Sequence, residues 1–362
     1  MHYDQKAEAV VNMKVFQIDF DSMMKVLLYI PDNKLYYAEY FQKEYGEHFS
    51  QLCFDKGMIN DEDFDIFVYV DTMMQAEGCK KYRRLIGKVF PLTYAWGFRD
   101  GNHRKVNLYY RSNYFRYFLR SYLPINLHTF LLEPLMYYIG LLRGFTLLHA
   151  ASADNHGQGL VISAQSGCGK TSTVFKLIRS GCGFLGDDLV WVSEKGDLLR
   201  YPRLIHLFSY VLQYSSFLTL PWKLHIYLKV KDFLRQIIEF IIGEQFNIAT
   251  RVDIKDLMNS VNIVNRTVLT GFFFMRKESD VLVESIDDSN RLASIDSIME
   301  VNEPMDNLFK IFFEDDESLR ITVRKRQEKL LNTILHNSKA FMINRELVKT
   351  EVEPLLWLLD NE

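Results

Sequence analysis

The segment that most constrains this chain is a short apolar run followed by a glycine-rich turn and a helix-forming stretch. Leu160-Val161-Ile162 predicts a buried strand, and Ser166-Gly167-Cys168-Gly169-Lys170-Thr171 comes soon after it. Glycines allow successive backbone N–H groups to point at one anion, and the N-terminus of the following helix adds partial positive charge. The strand, the turn and the helix together predict a site for the phosphates of a nucleotide.

Two polar side chains at the end of this turn have candidate roles. Lys170 would contact the β- and γ-phosphates, and the Thr171 hydroxyl would bind Mg²⁺. The full motif has a glycine where this chain has Ala164, a small residue that can often serve there. The alternative is a glycine-rich turn with an incidental Lys-Thr pair. The candidate nucleotide-binding residues are Ser166, Gly167, Cys168, Gly169, Lys170, Thr171 and Ser172.

Two adjacent acids, Asp187 and Asp188, follow a second glycine-rich turn at 181–183 and open the apolar run Leu189–Val192. A helix leading away from the phosphate turn, followed by a chain reversal, would bring both acids back toward a bound γ-phosphate. One acid could hold the metal while the other accepts the proton of an attacking hydroxyl. Solvated charges at the entry of a strand are the alternative interpretation.

Composition sets the broad class of protein. The chain has 362 residues, of which 48% are hydrophobic, so there is room for roughly two domains with buried cores. A net charge of −3 gives no general attraction for nucleic acid. The aromatic and basic stretch 109–122 suits a packed helix better than a base-stacking surface. Four cysteines without metal-ligand spacing, and no secretion signal, lead us to expect a cytoplasmic protein.

The segment Leu204–Trp222 carries no Asp, Glu, Lys or Arg and is about as long as a membrane-spanning helix. Its serines, histidine, glutamine and proline lower its hydropathy, so we expect no stable membrane insertion. A buried helix-loop and an aromatic docking surface are the remaining interpretations. The wider stretch 204–243 is predicted to be an aromatic-rich insertion.

Local patterns divide the chain into an N-terminal α+β accessory domain over 1–125, a core domain over 126–345 and a C-terminal tail over 346–362. Apolar spacing predicts a helix or strand in each of several segments. Strands are predicted within 13–40, at 64–70, at 145–150, at 188–192 and at 267–275, with 281–286 pairing with the last of these. Helices are predicted at 126–142, 171–179 and 324–341.

Three segments together resemble the core of the HPr serine kinase family, which shares its nucleotide-binding fold with phosphoenolpyruvate carboxykinases. They are Leu147-Leu148-His149-Ala150, Ser166 to Thr171, and Gly186-Asp187-Asp188-Leu189-Val190. The resemblance covers residues 126–200 well and continues more loosely to about 340. It implies an α/β (α+β) fold whose P-loop kinase core has a mixed sheet, unlike the doubly wound sheet of common NTPases.

The resemblance also implies ATP and Mg²⁺ as cofactors, and transfer of a phosphoryl group to a hydroxyl. Lys170 matches the phosphate-binding lysine and His149 matches a histidine on the strand before the turn. One of Asp187 and Asp188 matches the catalytic base and the other lies near the metal. We assign Asp188 to the metal together with Thr171, although which acid is the base stays open.

Phosphoryl transfer needs a further cation beyond Lys170 to stabilise the transferred group. Arg203, Arg251 and Arg276 are the candidates, and the sequence does not decide between them. The acceptor is expected to be a hydroxyl of a protein or peptide serine or of a small molecule.

The chain also departs from the family. The Arg-Gly signature of HPr kinase/phosphorylases does not follow the acids, so HPr as substrate and the phosphorylase reaction are not expected. The resemblance leaves a homo-oligomer open. A nucleotide-binding regulatory or scaffold protein without turnover, and an NTPase that drives a partner, are the alternative functions.

Overall fold

The computed structural model describes residues 13–20, 23–52, 60–72, 79–86, 90–99, 101–111, 122–165, 167–207, 222–242, 250–258, 260–277, 281–349 and 351–361. The chain divides into two compact units. Unit 1 comprises Met1–Arg143 and Asn307–Asp315, and unit 2 comprises Gly144–Asp306 and Asp316–Glu362. The division after Arg143 lies one helix beyond the boundary that the sequence patterns predict.

Among its described residues, unit 1 contains a mixed sheet of seven strands. They are β1 (Met13–Asp19), β2 (Lys25–Pro31), β3 (Phe49–Leu52), β4 (Ile66–Val70), β5 (Lys80–Ile86), β6 (Phe90–Arg99) and β7 (Asn102–Arg111), in the order β3-β1-β2-β4-β7-β6-β5. β4 runs parallel to both β2 and β7, and the other neighbours are antiparallel. The strands predicted within 13–40 and at 64–70 are therefore confirmed.

The helices of unit 1 are α1 (Tyr36–Tyr45), α2 (Tyr122–Asn126) and α3 (Glu133–Leu142), with a π-helical segment, Leu127–Leu132, between the last two. The helix predicted at 126–142 is confirmed, and it begins earlier than predicted. α3 is buried on almost all sides, as expected of a helix that is apolar all round. Of the predicted packed helix at 109–122, Tyr109 to Arg111 end β7 instead, and 112–121 lie outside the described residues.

The segment Asn307–Asp315 belongs to unit 1 through contacts that a linear reading of the chain cannot anticipate. The Tyr94 hydroxyl donates to the backbone oxygen of Ile311 at 2.7 Å. Phe312 and Phe313 pack against the Trp96 ring with centroid separations of 5.3 and 5.7 Å. Unit 1 thus takes its residues from two separate stretches of the chain.

In the part of unit 2 that the structure describes, there are a nine-stranded mixed sheet and a separate two-stranded sheet. Its strands are β8 (Phe145–Leu148), β9 (Ala150–Asn155), β10 (Gln158–Ala164), β11 (Gly183–Gly186), β12 (Val190–Ser193), β13 (Asp197–Arg200), β14 (Ile205–Leu207), β15 (Thr250–Val252), β16 (Arg266–Arg276), β17 (Val283–Ser285) and β18 (Lys339–Asn344). The large sheet has the order β11-β9-β10-β16-β13-β12-β8, with β18 pairing with β16 and β17, and β14 pairs with β15.

The helices of unit 2 are α4 (Lys170–Arg179), α5 (Trp222–Ile242), α6 (Ile254–Leu257), α7 (Arg291–Glu300), α9 (Glu317–Asn337) and α10 (Glu353–Asn361), and α8 (Glu303–Ile311) spans the boundary between the units. β16 runs parallel to β10 and to β18, and a strand buried between neighbours reads as a continuous apolar run. Together with unit 1, this confirms a mixed α/β chain with parallel and antiparallel pairing.

Two predicted elements are wrong in part. The strand predicted at 281–286 pairs with β18 rather than with β16, because β18 itself occupies that side of β16. The helix predicted at 324–341 ends at Asn337, and Phe341 lies in β18. The apolar run Ala340–Ile343 continues the helical spacing of α9 closely enough to hide this change of structure.

Within the part of the chain that the structure describes, no helix is long and apolar enough to cross a membrane. The uncharged segment 204–222 is described only at its two ends. Ile205 to Leu207 form β14 and Trp222 begins α5, whereas 208–221 lie outside the described residues. The interpretations of this segment as a buried helix-loop or a docking surface therefore stay predictions.

Candidate functional site

The glycine-rich turn joins the end of β10 to the start of α4. Gly167 and Gly169 have φ angles of +75° and +99°, a left-handed conformation that glycine adopts without steric cost. Gly169 is the N-cap of α4 and has no side chain to offer to the first N–H groups of the helix, which have no intrahelical partner. Ala164 is buried at the end of β10, so the small residue fits where the full motif has glycine.

The remaining predicted turn residues are placed as follows. Cys168 is buried, and burial raises the pKa of its thiol, which makes it a packing residue. Thr171 and Ser172 lie in the first turn of α4, and Ser166 falls outside the described residues. The backbone from Gly167 to Lys170 therefore forms the candidate anion cradle.

Lys170 is the first residue of α4, and its ammonium group interacts electrostatically with both acids. Its Nζ donates to the backbone oxygen of Ala164 at 3.3 Å. Burial lowers the pKa of Lys170, while the charges of Asp188 and Asp187 act in the opposite direction. A cation held near two carboxylates and an uncapped helix N-terminus is suited to an anionic ligand.

Asp187 lies directly after β11 and is buried, with 5% of its surface exposed. The Thr171 hydroxyl donates to both of its carboxylate oxygens, at 3.0 and 3.1 Å. Burial and the neighbouring charge of Asp188 raise the pKa of Asp187 to about 7, against the opposing effects of Thr171 and Lys170. The buried carboxylate therefore has less positive charge around it than its ionised form needs.

Asp188 interrupts an antiparallel ladder that would otherwise be continuous. β8 pairs with β12, and β9 pairs with β11, where Ser152 lies opposite Gly186. Between these pairs the Ala150 N–H donates to the backbone oxygen of Asp188 at 3.1 Å. Asp188 has a φ angle of +80°, which Asp tolerates better than most residues. The prediction that the acids open a strand is wrong, because they occupy the turn between β11 and β12.

Two histidines contact the Asp188 carboxylate, one at each of its oxygen atoms. His149 Nε2 lies 3.4 Å from Oδ1, and His206 Nδ1 lies 3.0 Å from Oδ2. Burial alone would raise the pKa of Asp188, but the hydrogen bonds from His149 and His206 outweigh it and hold this pKa well below its usual range. Burial and the charge of Arg203 lower the pKa of His206 to about 4. His206 is thus neutral at pH 7, and its Nδ1–H donates to Asp188.

Two of the three candidate arginines lie beside this group. Arg203 Nη1 is 3.9 Å from Asp188 Oδ2, and Arg251 stands opposite His206 in the β14–β15 ladder. Arg276 ends β16, whose Met275 is paired with Ala164 at the end of β10. Arg276 therefore lies at the same edge of the sheet as the turn.

Four contributors to this region escaped the sequence analysis. Lys277 lies close to the turn. Its Nζ is 3.4 Å from the position that a Cβ atom would occupy at Gly167. Asn302 Oδ1 accepts from the His149 N–H at 3.2 Å, and Glu303 Oε2 lies 3.9 Å from His149 Nδ1. Lys277 could have been found, because it directly follows the candidate Arg276. No local signal identifies His206, Asn302 or Glu303.

The donor set around the turn fits a divalent cation bound together with phosphate. Asp187, Asp188 and the Thr171 hydroxyl supply the oxygen atoms that Mg²⁺ prefers. Among the described residues, no group of three or more His, Cys, Asp or Glu side chains could hold a metal ion. Mg²⁺ commonly binds through one or two carboxylates plus substrate phosphates and water.

The effect of Asp187→Asn on the free energy of unfolding tests whether the ionised Asp187 carboxylate is unfavourable in the folded protein. The folded-state pKa of Asp187 is about 7, above the ordinary value of about 3.9, so the folded chain retains a proton that the unfolded chain loses between these pH values. The contribution of this group to stability therefore falls as pH rises through that window. We expect Asp187→Asn to be more stable than wild type by about 2–4 kcal/mol at pH 8 and nearly equal to it at pH 4.

Denaturant unfolding of both proteins at the two pH values measures this difference. Adding Mg²⁺ at the higher pH should reduce the difference in unfolding free energy between the two proteins, because a bound cation stabilises the carboxylate but not the amide. An equal difference at both pH values would show that ionisation of Asp187 does not destabilise the folded protein, which would contradict the prediction.

No family model matches the chain. A stretch of 58 residues, 16% of the chain, is 36% identical to the HPr kinase/phosphorylase of Exiguobacterium sp. (strain ATCC BAA-1283 / AT1b). The match spans 19% of that protein's length. It supports at most a distant relation to that enzyme, and it hints at a phosphotransfer function.

Proposed function

We propose that this chain is an ATP- and Mg²⁺-dependent kinase that transfers the γ-phosphoryl group to a hydroxyl. The observation that carries the proposal is the bond from the Thr171 hydroxyl to both oxygens of Asp187. It joins the first turn of α4, where an anion is favoured, to the acid pair that follows β11. A phosphate-binding turn and a metal-binding carboxylate must meet in this way in a phosphotransfer site.

The turn and Lys170 would bind the triphosphate. Backbone N–H groups at the start of α4 would donate to phosphate oxygens, and Lys170 would exchange its bond to the Ala164 oxygen for one to phosphate. Thr171 and Asp187 would hold Mg²⁺. When bound, Mg²⁺ supplies charge neutralisation of the phosphate oxygens.

The contacts favour Asp188 for the acceptor side and Asp187 for the metal side, which reverses the assignment of Asp188 to the metal that was made from the sequence. The side chain of Asp188 retains 29% of its exposure, whereas Asp187 is enclosed and already bonded to Thr171. His149 and His206 orient the Asp188 carboxylate and keep it ionised. Asp188 would therefore orient the acceptor hydroxyl and take its proton, as the carboxylate base of a kinase does.

Arg203 and Arg251 would stabilise the charge that develops during transfer. Arg203 is nearly enclosed, with a side-chain exposure of 6%, and lies beside Asp188. Fixed cations in an enclosed site stabilise developing charge without reorganising during the reaction. Arg276 and Lys277 lie at the edge of the turn and would contact the nucleotide phosphates instead.

The acceptor is proposed to be a serine of a protein or peptide, or a hydroxyl of a small molecule. The experiment incubates the purified chain with Mg²⁺, candidate acceptors and ATP labelled either in the α- or in the γ-phosphate. The proposal expects label in the acceptor from γ-labelled ATP alone. Wild type and Asp188→Asn are compared in parallel, and the variant should bind nucleotide without transferring label.

Other outcomes would favour the alternative functions. Tight nucleotide binding without turnover, with every acceptor tried, would favour a regulatory or scaffold protein. Steady release of inorganic phosphate that does not depend on an acceptor would favour an NTPase that drives a partner. Label transferred from α-labelled ATP would contradict phosphoryl transfer.

A further inference from the structure

Helix α5 carries a large exposed apolar surface that the proposed site does not use. Among the α5 side chains that the structure describes, Leu228 alone is buried. Seven large apolar side chains are exposed, three of them aromatic. They are Trp222 (69%), Ile226 (52%), Tyr227 (53%), Val230 (52%), Phe233 (62%), Leu234 (50%) and Ile237 (39%). We call these seven residues the α5 apolar face.

The α5 apolar face is a single continuous strip. At 100° per residue its members fall within an arc of roughly 140° on the helix surface. Exposed apolar strips of this size mark an interaction site rather than ordinary solvent-facing surface. The strip is the convex side of one helix, so it suits a flat partner better than a peptide that needs a groove.

Lysines lie within and beside the strip: at 100° per residue Lys223 falls inside its arc, whereas Lys229 and Lys231 lie outside its two borders. Lys223 Nζ lies 5.9 Å from the ring centroid of Trp222, and Lys231 Nζ lies 5.5 Å from that of Tyr227. Lys229 is exposed near the opposite border of the strip. Long lysine side chains can follow an apolar surface while their ammonium groups remain in water. Trp and Tyr are the aromatic residues that concentrate at membrane–water interfaces.

We propose that α5 lies flat on an anionic lipid surface, with its apolar face in the lipid and its lysines against the headgroups. The chain as a whole has a net charge of −3, so the attraction is local to this helix. Basic residues around an apolar strip with aromatic side chains are the pattern of interfacial helices. α5 does not meet the requirements of a membrane-spanning helix, which agrees with a position on the surface rather than across it.

Charge also argues against a second copy of the chain as the occupant. If two α5 apolar faces packed together, the lysines within and beside one strip would lie close to those of the other. Like charges at such close range are unfavourable. An anionic lipid surface instead supplies both the apolar layer and the opposite charge.

The test uses the full chain with vesicles of phosphatidylcholine alone and of phosphatidylcholine mixed with phosphatidylglycerol in equal parts. We expect cosedimentation with the mixed vesicles and at least tenfold weaker binding to the neutral ones. The double variant Trp222→Glu/Phe233→Glu should lose at least about tenfold in binding to the mixed vesicles. Trp357→Glu is the matched control, because Trp357 on α10 is also exposed, at 58%.

Fluorescence supplies a second readout that does not depend on these variants. In Trp357→Phe, the remaining tryptophans are Trp96, Trp191 and Trp222, and the first two are buried, with exposures of 6% and 1%. A blue shift on adding mixed vesicles, and quenching by brominated lipid, would therefore report insertion of Trp222. Lys223→Gln/Lys229→Gln should reduce the preference for the mixed vesicles.

Three results would overturn the proposal. The first is absence of binding to either kind of vesicle. The second is equal binding of wild type and Trp222→Glu/Phe233→Glu. The third is a dimer in lipid-free solution that dissociates in this double variant, since that would show that a second copy covers the α5 apolar face.

Discussion

Asp188→Asn is expected to lower the rate of phosphoryl transfer by about 10²–10⁴-fold, the usual contribution of a positioned general base. Asn tolerates the left-handed backbone at this position almost as well as Asp, so the turn between β11 and β12 should keep its shape. The amide cannot take a proton from the acceptor and offers a single oxygen where the carboxylate offers two. His149 and His206 would then no longer share one anionic partner.

Nucleotide affinity of Asp188→Asn should stay within about threefold of wild type, since Asp188 is proposed to face the acceptor and not the phosphates. Single-turnover transfer and equilibrium nucleotide binding measure the two effects separately. Asp71→Asn is the matched control, because Asp71 has a φ angle of +57° and belongs to unit 1. If Asp188→Asn kept the wild-type transfer rate, Asp188 would not be the base.

The second large effect is expected from Lys170→Met, which should weaken nucleotide binding by roughly 10- to 100-fold. This range corresponds to the loss of one hydrogen bond to a charged group, about 1.5–3 kcal/mol. Burial already lowers the pKa of Lys170, so the uncharged Met should cost the ligand-free protein little stability. The loss should therefore appear in affinity and not in folding.

Titration with a fluorescent ATP analogue measures this change in affinity. Lys255→Met is the matched control, because Lys255 is exposed on α6 and has no role in the proposed phosphate site. Unfolding of both variants should be compared at the same pH. Equal affinity of wild type and Lys170→Met would remove Lys170 from the phosphate site.

The parts of the site that follow from the sequence are those encoded within a few neighbouring residues. The turn from Gly167 to Thr171 was predictable because left-handed glycines and a helix N-terminus are local properties. The position of Asp187 near the phosphate turn was predictable, because a single helix followed by one reversal of chain direction returns the chain to that turn. The same local reasoning is wrong about Asp188. It predicts a strand that starts at this residue, whereas the strand begins at Val190.

The partners of Asp188 depend on the tertiary fold and have no local signature. His206 reaches Asp188 because β14 pairs with β15 in a small separate sheet, and Glu303 reaches His149 from the start of α8. The apolar pattern at 324–341 failed for a related reason. Ala340 to Ile343 form a strand because β16 and β17 pair with them, a contact that helical spacing does not reveal.

Calorimetric titration of the chain with ATP, in the presence and absence of Mg²⁺, tests most directly whether the turn and the acid pair form a nucleotide site. The proposed function predicts saturable, Mg²⁺-dependent heat at one site per chain, which is strongly reduced in Lys170→Met and keeps less of its Mg²⁺ dependence in Asp187→Asn. Absence of saturable heat with Mg²⁺ and ATP, or an unchanged isotherm in Lys170→Met, would contradict it.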